Sequence, residues 1–241
     1  MKFDIKKVNE ENVGQFIELL SPTCKTKEEA LKWCELGKKY HVRTHLANFM
    51  WLPDMIEFYK GTGIMVGGGV CFPYGSEAPA TKKAAVQNLL DIGVDDIDFS
   101  MNYQALNAGK EDMVKEEIQM FADMCKGKVE TKLIIEAAML DSEELIRKAC
   151  RWAADAGIDW IKTASGLLPK VVSLDHVKII LDELKGTNCK CKVSGIKAPR
   201  AQNVYLYLMA GAEAIGTHSV EEVVNALKTE RELGLLPPYE G

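Results

Sequence analysis

Residues 129–164 read VETKLIIEAAMLDSEELIRKACRWAADAGIDWIKTA and contain the pattern on which the fold prediction depends. An apolar, β-branched run at 129–136 predicts a strand, and the amphipathic stretch at 142–156 predicts a helix. Gly157, at the C′ position, ends this helix, and a second apolar run at 158–164 follows directly. Two strands joined by a helix in this way are typical of a βαβ unit with parallel strands.

The same alternation of strand and helix extends over most of the chain. No linker or change of composition divides it, so we predict one domain over residues 1–241. The repeated units most simply close into an α/β fold, a single (β/α)8 TIM barrel. The other predicted strands are 42–47, 64–71, 95–101, 189–194 and 213–217, and the other predicted helices are 80–92, 110–126, 173–185 and 200–210.

A closed barrel needs an eighth strand, and the stretch GQFIELL at 14–20 is the segment with room for it. This stretch is compatible with a helix as well as with a strand, so the sequence leaves the first strand open. A doubly wound open sheet is the alternative architecture. Such a sheet usually has a glycine-rich loop after its first strand, whereas Gly67-Gly68-Gly69 lies within a predicted strand.

Composition disfavours several classes of function. The chain has 30 Lys and Arg against 35 Asp and Glu, a formal net charge of −5, and no basic block to bind nucleic acid. No run of about 18 apolar residues predicts a membrane span. The seven cysteines follow no regular spacing, which favours reduced thiols and a cytoplasmic location.

Polar residues at the carboxyl ends of the strands are the candidates for chemistry, because catalytic groups of βα barrels lie there. Lys162 and Lys192 end neighbouring predicted strands, and the alternation of side chains points both towards the barrel mouth. Two adjacent ammonium groups lower the pKa of the more buried amine, which can then form a Schiff base with a carbonyl. We expect Asp98, one or two strands away, to move protons to and from the substrate.

Five segments resemble motifs of the deoxyribose-phosphate aldolases, a class I, Schiff-base-forming family. IKTASG at 161–166 resembles their K-T-S-T-G signature, and KCKVSG at 190–195 resembles their K-A-S-G or K-P-A-G strand. All five segments occur in order at predicted strand ends, within roughly residues 41–219. The other three segments are VCFPYG at 70–75, IDFSMNYQALNAGKE at 97–111 and LIIEAAML at 133–140.

The resemblance implies an aldehyde-lyase that cleaves 2-deoxyribose 5-phosphate, or a close sugar phosphate, reversibly to acetaldehyde and glyceraldehyde 3-phosphate. It implies no cofactor and no metal, a role in deoxyribonucleotide catabolism and a homo-oligomer. Carried over residue by residue, it implies that Lys162 forms the Schiff base, that Lys192 tunes it and that Asp98 relays protons.

Substrate binding is expected around the same mouth. The resemblance implies that Asn48 hydrogen-bonds substrate hydroxyls and that Glu136 orients the lysine side of the pocket. The loops after the last two strands are expected to hold the phosphate, because glycines let backbone N–H groups approach its oxygens. The remaining predicted substrate-binding residues are Thr163, Gly166, Ser194, Gly195, Gly216, His218 and Ser219.

The chain departs from the family pattern at both ends of the predicted pocket. Where the family has D-H-T-x-L-x-P, residues 16–22 read FIELLSP, so the usual Asp and Thr are replaced. The phosphate loop S-G-G-I-R is similar to SGIKAPR at 194–200, which lacks the second glycine and is one residue longer. Lys197 or Arg200 is a candidate for the missing phosphate contacts. The departures leave room for another donor or acceptor.

Two other functions are alternatives. A metal-dependent class II aldolase normally uses about three zinc ligands, and only His45 and His218 fall near predicted strand ends. A non-catalytic barrel that binds a sugar phosphate is the second alternative. It has no need of two adjacent lysines, whose repulsion costs stability.

Overall fold

The computed structural model describes residues 3–21, 23–198 and 200–241, so Pro22 and Pro199 of the two altered motifs lie outside the described residues. Eight parallel strands pair in sequence order, and the pairing of the first with the last closes the barrel. The strands are β1 (Ile17–Leu20), β2 (Thr44–Leu46), β3 (Met65–Val70), β4 (Asp96–Ser100), β5 (Glu130–Ile134), β6 (Trp160–Lys162), β7 (Lys190–Val193) and β8 (Ala214–Thr217).

Helices follow the strands and surround the barrel. None of those in the described part of the chain has the length and apolar character needed to cross a membrane. The helices are α1 (Lys27–Lys39), α2 (Leu52–Tyr59), α3 (Pro79–Ile92), α4 (Tyr103–Asn107), α5 (Glu111–Cys125), α6 (Glu143–Ala156), α7 (Leu174–Glu183), α8 (Arg200–Ala210) and α9 (Val220–Glu232).

The observed elements confirm the predicted (β/α)8 barrel, and the open-sheet alternative is wrong. Each of the seven strands predicted from apolar runs contains an observed strand. The segment at 14–20 combines the two conformations that the sequence left open. A 3₁₀ turn at Val13–Phe16 leads into β1, and this strand joins β2 to β8.

Local sequence signals determine where the helices begin and end. Helix α6 follows Ser142, whose side chain accepts a hydrogen bond from the Leu145 N–H, as an N-cap should. It ends at Gly157, which has a φ of 84° in the left-handed region that glycine adopts without steric cost. Gly93 ends α3 in the same conformation, so both helices turn sharply into the next strand.

Alternation along each strand separates an apolar outer layer from a charged interior. On β4, Phe99 faces outwards and stacks on Phe121 of α5 at a centroid distance of 4.6 Å. The residues on either side of Phe99 therefore face the interior of the barrel. Burial of ions inside a protein is costly unless each is paired, so the partners of these groups decide what they do. The buried ionic residues of the strands are Glu18, Asp96, Asp98, Lys132, Lys162 and Lys192.

Candidate active site

The structure brings the three predicted catalytic residues together near the carboxyl ends of the strands. Lys162 and Lys192 are register partners on β6 and β7, and both are fully buried. Asp98 reaches them from β4, across the interior of the barrel. The Lys162 ammonium group donates a hydrogen bond to Asp98 Oδ2 at 2.5 Å, and Lys192 Nζ lies 3.5 Å from the same oxygen. We call Asp98, Lys162 and Lys192 the upper cluster.

The electrostatics of the upper cluster favour a reactive amine beside a charged carboxylate. Burial lowers the pKa of Lys162, and the charge of Lys192 lowers it further, whereas Asp98 acts in the opposite direction. Burial by itself would raise the pKa of Asp98. The ammonium groups of Lys162, Lys192 and Lys132 outweigh burial and hold the pKa of Asp98 well below its usual range. Asp98 is therefore ionised at neutral pH.

A cavity of about 560 Å³ adjoins Lys162 at the barrel mouth. Its walls include Asn48 after β2, Phe72 after β3 and Leu167 after β6. The Lys162 ammonium group lies 5.1 Å from the centre of the Phe72 ring. The amine thus borders a largely apolar space, where a neutral amine is favoured over a charged one.

An adjoining cavity of about 280 Å³ extends towards the loops after β7 and β8. Gly166 and Gly195 both have φ values in the left-handed region, 82° and 77°, and a Cβ on Gly166 would lie 3.3 Å from the Gly195 Cα. Two cations, Lys197 and Arg200, line the same cavity. Both cavities share the lining residues Leu20, Ser21, Ser165 and Leu167, so together they form one cleft from Lys162 to a cationic end.

Besides Gly166 and Gly195, three predicted substrate-binding residues line this cleft. Asn48 is exposed, and its side-chain oxygen accepts a hydrogen bond from the Met50 N–H at 3.3 Å. Gly216 near the end of β8 and His218 directly after it line the same cavity as Arg200. Burial and the nearby Arg200 charge lower the pKa of His218. These residues are thus in reach of a ligand that fills the cleft.

Glu136 acts on the loop that follows Lys162. It is buried, has a φ of 49°, and its Oε1 accepts a hydrogen bond from the Ser165 N–H at 2.6 Å. Burial raises the pKa of Glu136, although its hydrogen bonds with Ser165 oppose the shift. The side chain therefore anchors the backbone of Ser165 in the wall of the cleft, and its role in orienting the lysine side of the pocket stays a prediction.

Three predicted substrate-binding residues lie behind the walls of the two cavities. Thr163 Oγ1 donates to the Ser194 carbonyl oxygen and accepts from the Ser194 N–H, which ties β6 to β7. Ser194 Oγ fills the space where a Cβ on Gly216 would stand. The backbone N–H of Ser219 donates to Thr217 Oγ1 at 3.0 Å, at the start of α9. Their placement supports the loops that line the cleft, and direct contact with substrate stays a prediction.

A second group of charges lies below the upper cluster, and sequence reasoning missed it. Lys132 on β5 contacts Asp96 and lies 3.7 Å from Glu130, which also pairs with Arg43. We call Arg43, Asp96, Glu130 and Lys132 the lower cluster. Side-chain alternation is the signal that could have found it, because Asp96 and Asp98, like Glu130 and Lys132, share one face of a strand.

Glu18 on β1 connects the two clusters. One carboxylate oxygen contacts Lys192 of the upper cluster. The other oxygen lies 2.8 Å from Arg43 and 3.3 Å from Lys132 of the lower cluster. Burial would raise the pKa of Glu18, but Lys132 and Lys192 outweigh it and lower that pKa. In the sequence, Glu18 stands at the motif position where the family has Thr. This replacement of a neutral by a charged residue is the signal that could have indicated Glu18.

Metal ligation can be tested against the same residues. Within the described ranges, oxygens of Glu18, Asp96 and Asp98 lie within 4.8 Å of one another, a spacing compatible with a cation. Lysine ammonium groups contact all three carboxylates and supply the positive charge there. His45 is committed elsewhere, because its ring nitrogens contact Ser21 and Tyr59. The donor set therefore fits ammonium partners better than a metal ion.

A lysine amine and a carboxylate at the mouth of a (β/α)8 barrel define an enzyme site of the aldolase type. A sequence model described as DeoC/LacD family aldolase matches residues 71–232. The chain belongs to this family of aldolases, which are aldehyde-lyases.

The relatives and structural neighbours are similarly named. A deoxyribose-phosphate aldolase from Geobacillus sp. strain WCH70 is 33% identical over 216 residues, which cover 89% of this chain and 96% of that protein. A deoxyribose-phosphate aldolase from Clostridium novyi strain NT is 29% identical, and the match covers 91% of this chain and 98% of that protein. The tetrameric deoxyribose phosphate aldolase from Aeropyrum pernix matches 92% of this chain and 93% of its own, with a TM-score of 0.80 at 22% identity. The last likeness shows the fold.

Proposed function

We propose that this protein is a class I aldolase that cleaves 2-deoxyribose 5-phosphate reversibly to acetaldehyde and glyceraldehyde 3-phosphate through a Schiff base on Lys162. The observation that carries the proposal is the buried Lys162 amine, which borders the cleft and contacts Asp98. Its pKa is lowered by burial, so a larger fraction is the neutral nucleophile.

The mechanism begins when the Lys162 nitrogen attacks the aldehyde carbon of the open-chain sugar. Loss of water then gives a protonated imine at C1, which withdraws electrons from the bond between C2 and C3 of the sugar. That bond breaks as the hydroxyl proton leaves, which releases glyceraldehyde 3-phosphate and forms an enamine on Lys162. Protonation of the enamine carbon and hydrolysis of the imine release acetaldehyde and restore the amine.

We infer that Asp98, which contacts the Lys162 amine, moves the protons of these steps, directly or through water. One oxygen, Oδ2, is engaged by Lys162 and Lys192. Among the described residues, Asp98 Oδ1 is buried without a hydrogen-bond partner. We infer that this oxygen exchanges protons with the substrate, and the surrounding ammonium groups return the carboxylate to its ionised form after each transfer.

The cationic end of the cleft supports a phosphorylated substrate. Lys197 and Arg200 line it together with Gly195 and Gly216, so two positive charges and two glycines border one space. A phosphate at this end would leave the sugar carbons extending towards Lys162. Deoxyribose-phosphate aldolases are among the relatives, which supports the five-carbon sugar phosphate as the substrate.

We further propose that residues 1–241 form one domain and that the chain works as a homo-oligomer in the cytoplasm, in deoxyribonucleotide catabolism. The single closed barrel supports one domain. A solved neighbour with this fold is a tetramer, and α8 of this chain exposes Leu206 and Met209, which supports self-association. The irregular spacing of the cysteines in the sequence supports a reducing compartment.

Borohydride trapping tests the proposed function. We expect reduction in the presence of 2-deoxyribose 5-phosphate to leave a covalent adduct on Lys162, found by intact mass and peptide mapping. Trapping with unphosphorylated 2-deoxyribose is expected to need a higher concentration, because it lacks the contacts at the cationic end. A panel of other sugar phosphates and short carbonyls is the matched comparison. An adduct on another lysine, or none with any of these compounds, would contradict the proposal.

A further inference from the structure

Glu18 is a buried carboxylate that the proposed mechanism does not use. It lies in β1 at the register of Thr44 on β2 and Gly216 on β8. Among the described residues, the lining of the cleft does not include Glu18. Any effect of Glu18 on the reaction must therefore pass through the charged groups that it contacts.

Lys192 has two carboxylate partners, and they differ in distance. Its ammonium group makes its closest contact with Glu18 and lies 3.5 Å from Asp98 Oδ2. The same Oδ2 accepts the 2.5 Å hydrogen bond from Lys162. Lys162 and Lys192 thus compete for one oxygen. Glu18 neutralises part of the Lys192 charge and so weakens the attraction of Lys192 to that oxygen.

The other charges that face this group have partners of their own. The other charged groups are Arg43 directly before β2, Asp96 and Asp98 from β4, Glu130 and Lys132 from β5, Lys162 from β6 and Lys192 from β7. Lys132 keeps Asp96, and Arg43 keeps Glu130, if the Glu18 charge is removed. In the described part of the chain, Asp98 is the remaining ion-pair partner of Lys192.

We propose that Glu18 is a positioning residue that holds Lys192 away from Asp98 and thereby reserves Asp98 for Lys162. This inference rests on the proposed role of Lys162 as the Schiff-base lysine. Without the Glu18 charge, Lys192 moves towards Asp98 and presents an uncompensated charge to Lys162. Both changes disfavour the protonated form of Lys162, so its pKa falls.

The pH dependence of imine trapping tests this role. In Glu18→Gln, we expect the acidic limb of the pH profile of borohydride trapping with 2-deoxyribose 5-phosphate to move to lower pH by about one unit. At a pH below the midpoint, adduct formation is then about tenfold faster than in the unsubstituted protein. The KM for this substrate is expected to stay within about twofold, because Glu18 does not line the cleft. Glu130→Gln is the matched control, since it removes one carboxylate from the lower cluster and leaves the Lys192 contacts intact.

Each outcome decides between the two proposals. Adduct formation with an unchanged midpoint in Glu18→Gln overturns the positioning role and leaves the proposed function standing. An equal shift in Glu130→Gln also overturns it, because the effect then comes from net charge. Absence of adduct in the unsubstituted protein overturns the proposed function and this inference with it. If Glu18→Gln does not fold, Glu18→Asp shortens the side chain by one methylene and so withdraws the carboxylate from Lys192, and a shift of the midpoint to lower pH is required of it as well.

Discussion

Lys162 in the upper cluster and Lys132 in the lower cluster are both fully buried lysines of one barrel, yet their pKa values move in opposite directions. Burial lowers the pKa of Lys162. Burial acts on Lys132 in the same direction, but Asp96, Glu18 and other carboxylates outweigh it and raise that pKa well above its usual range. Burial alone therefore does not make a lysine nucleophilic.

The difference lies in the supply of carboxylates. Lys132 has three within 4 Å, whereas Lys162 has one, whose oxygen it shares with Lys192. Among the described residues, the lining of the cleft does not include Lys132. Lys162 borders the cavity at the mouth. A buried amine is thus reactive when few carboxylates lie near it, so that burial lowers its pKa, and when it borders a cavity that a substrate can enter.

The largest expected effect is the loss of activity when the Lys162 amine is replaced. Lys162→Arg is expected to lower activity by at least about a thousandfold, because a guanidinium group stays protonated and cannot condense with a carbonyl. Steady-state kinetics would measure the loss, and circular dichroism would show that the fold is retained. Lys170→Arg, an exposed position in the loop after β6, is the control and should keep full activity. Turnover above background in Lys162→Arg would remove this lysine from the mechanism.

The next effect compares the two lysines by stability. Lys132→Met is expected to lower the free energy of unfolding by about 3–5 kcal/mol, because Asp96 loses its ion-pair partner inside the barrel. Lys162→Met should cost at least about 1 kcal/mol less, since Asp98 keeps Lys192 as a partner. Urea denaturation of both variants measures the difference. Equal losses would mean that the number of partners does not distinguish the clusters.

The smallest effect concerns the neighbour of Lys162. Lys192→Leu removes a charge that lowers the pKa of Lys162 and leaves Glu18, whose charge raises it. The pKa of Lys162 therefore rises, and the acidic limb of the activity profile is expected to move to higher pH by about one unit. Lys190→Leu is the matched control on the same strand, since Lys190 packs over the Trp160 ring instead. A profile that coincides with that of the control would exclude Lys192 from this role.

The sequence predicted most elements of the fold because their signals are local. Apolar runs and helix-ending glycines act within a few residues, so β5, α6 and Gly157 were placed correctly. The first strand was harder, because a 3₁₀ turn and a strand share the segment at 14–20. Its strand conformation depends on pairing with β2 and β8, and such pairing is not encoded within the segment.

The candidate site divides in the same way. Motif resemblance singled out Lys162, Lys192 and Asp98, and the barrel brings them together. The resemblance did not distinguish residues that line the cleft from those that support it. The hydrogen bonds of Thr163 Oγ1 to the backbone of Ser194, for example, depend on strand register.

The sequence by itself thus determined the order of strands and helices, the family resemblance and the lysine predicted to be the nucleophile. Those conclusions rest on residue type and short spacing. The tertiary structure alone decided that Glu18 meets Lys192, 174 residues further along the chain, and that Lys132 has more anionic partners than Lys162. A side chain's charge is written in the sequence, but its pKa depends on which charges closure of the barrel places within a few ångströms.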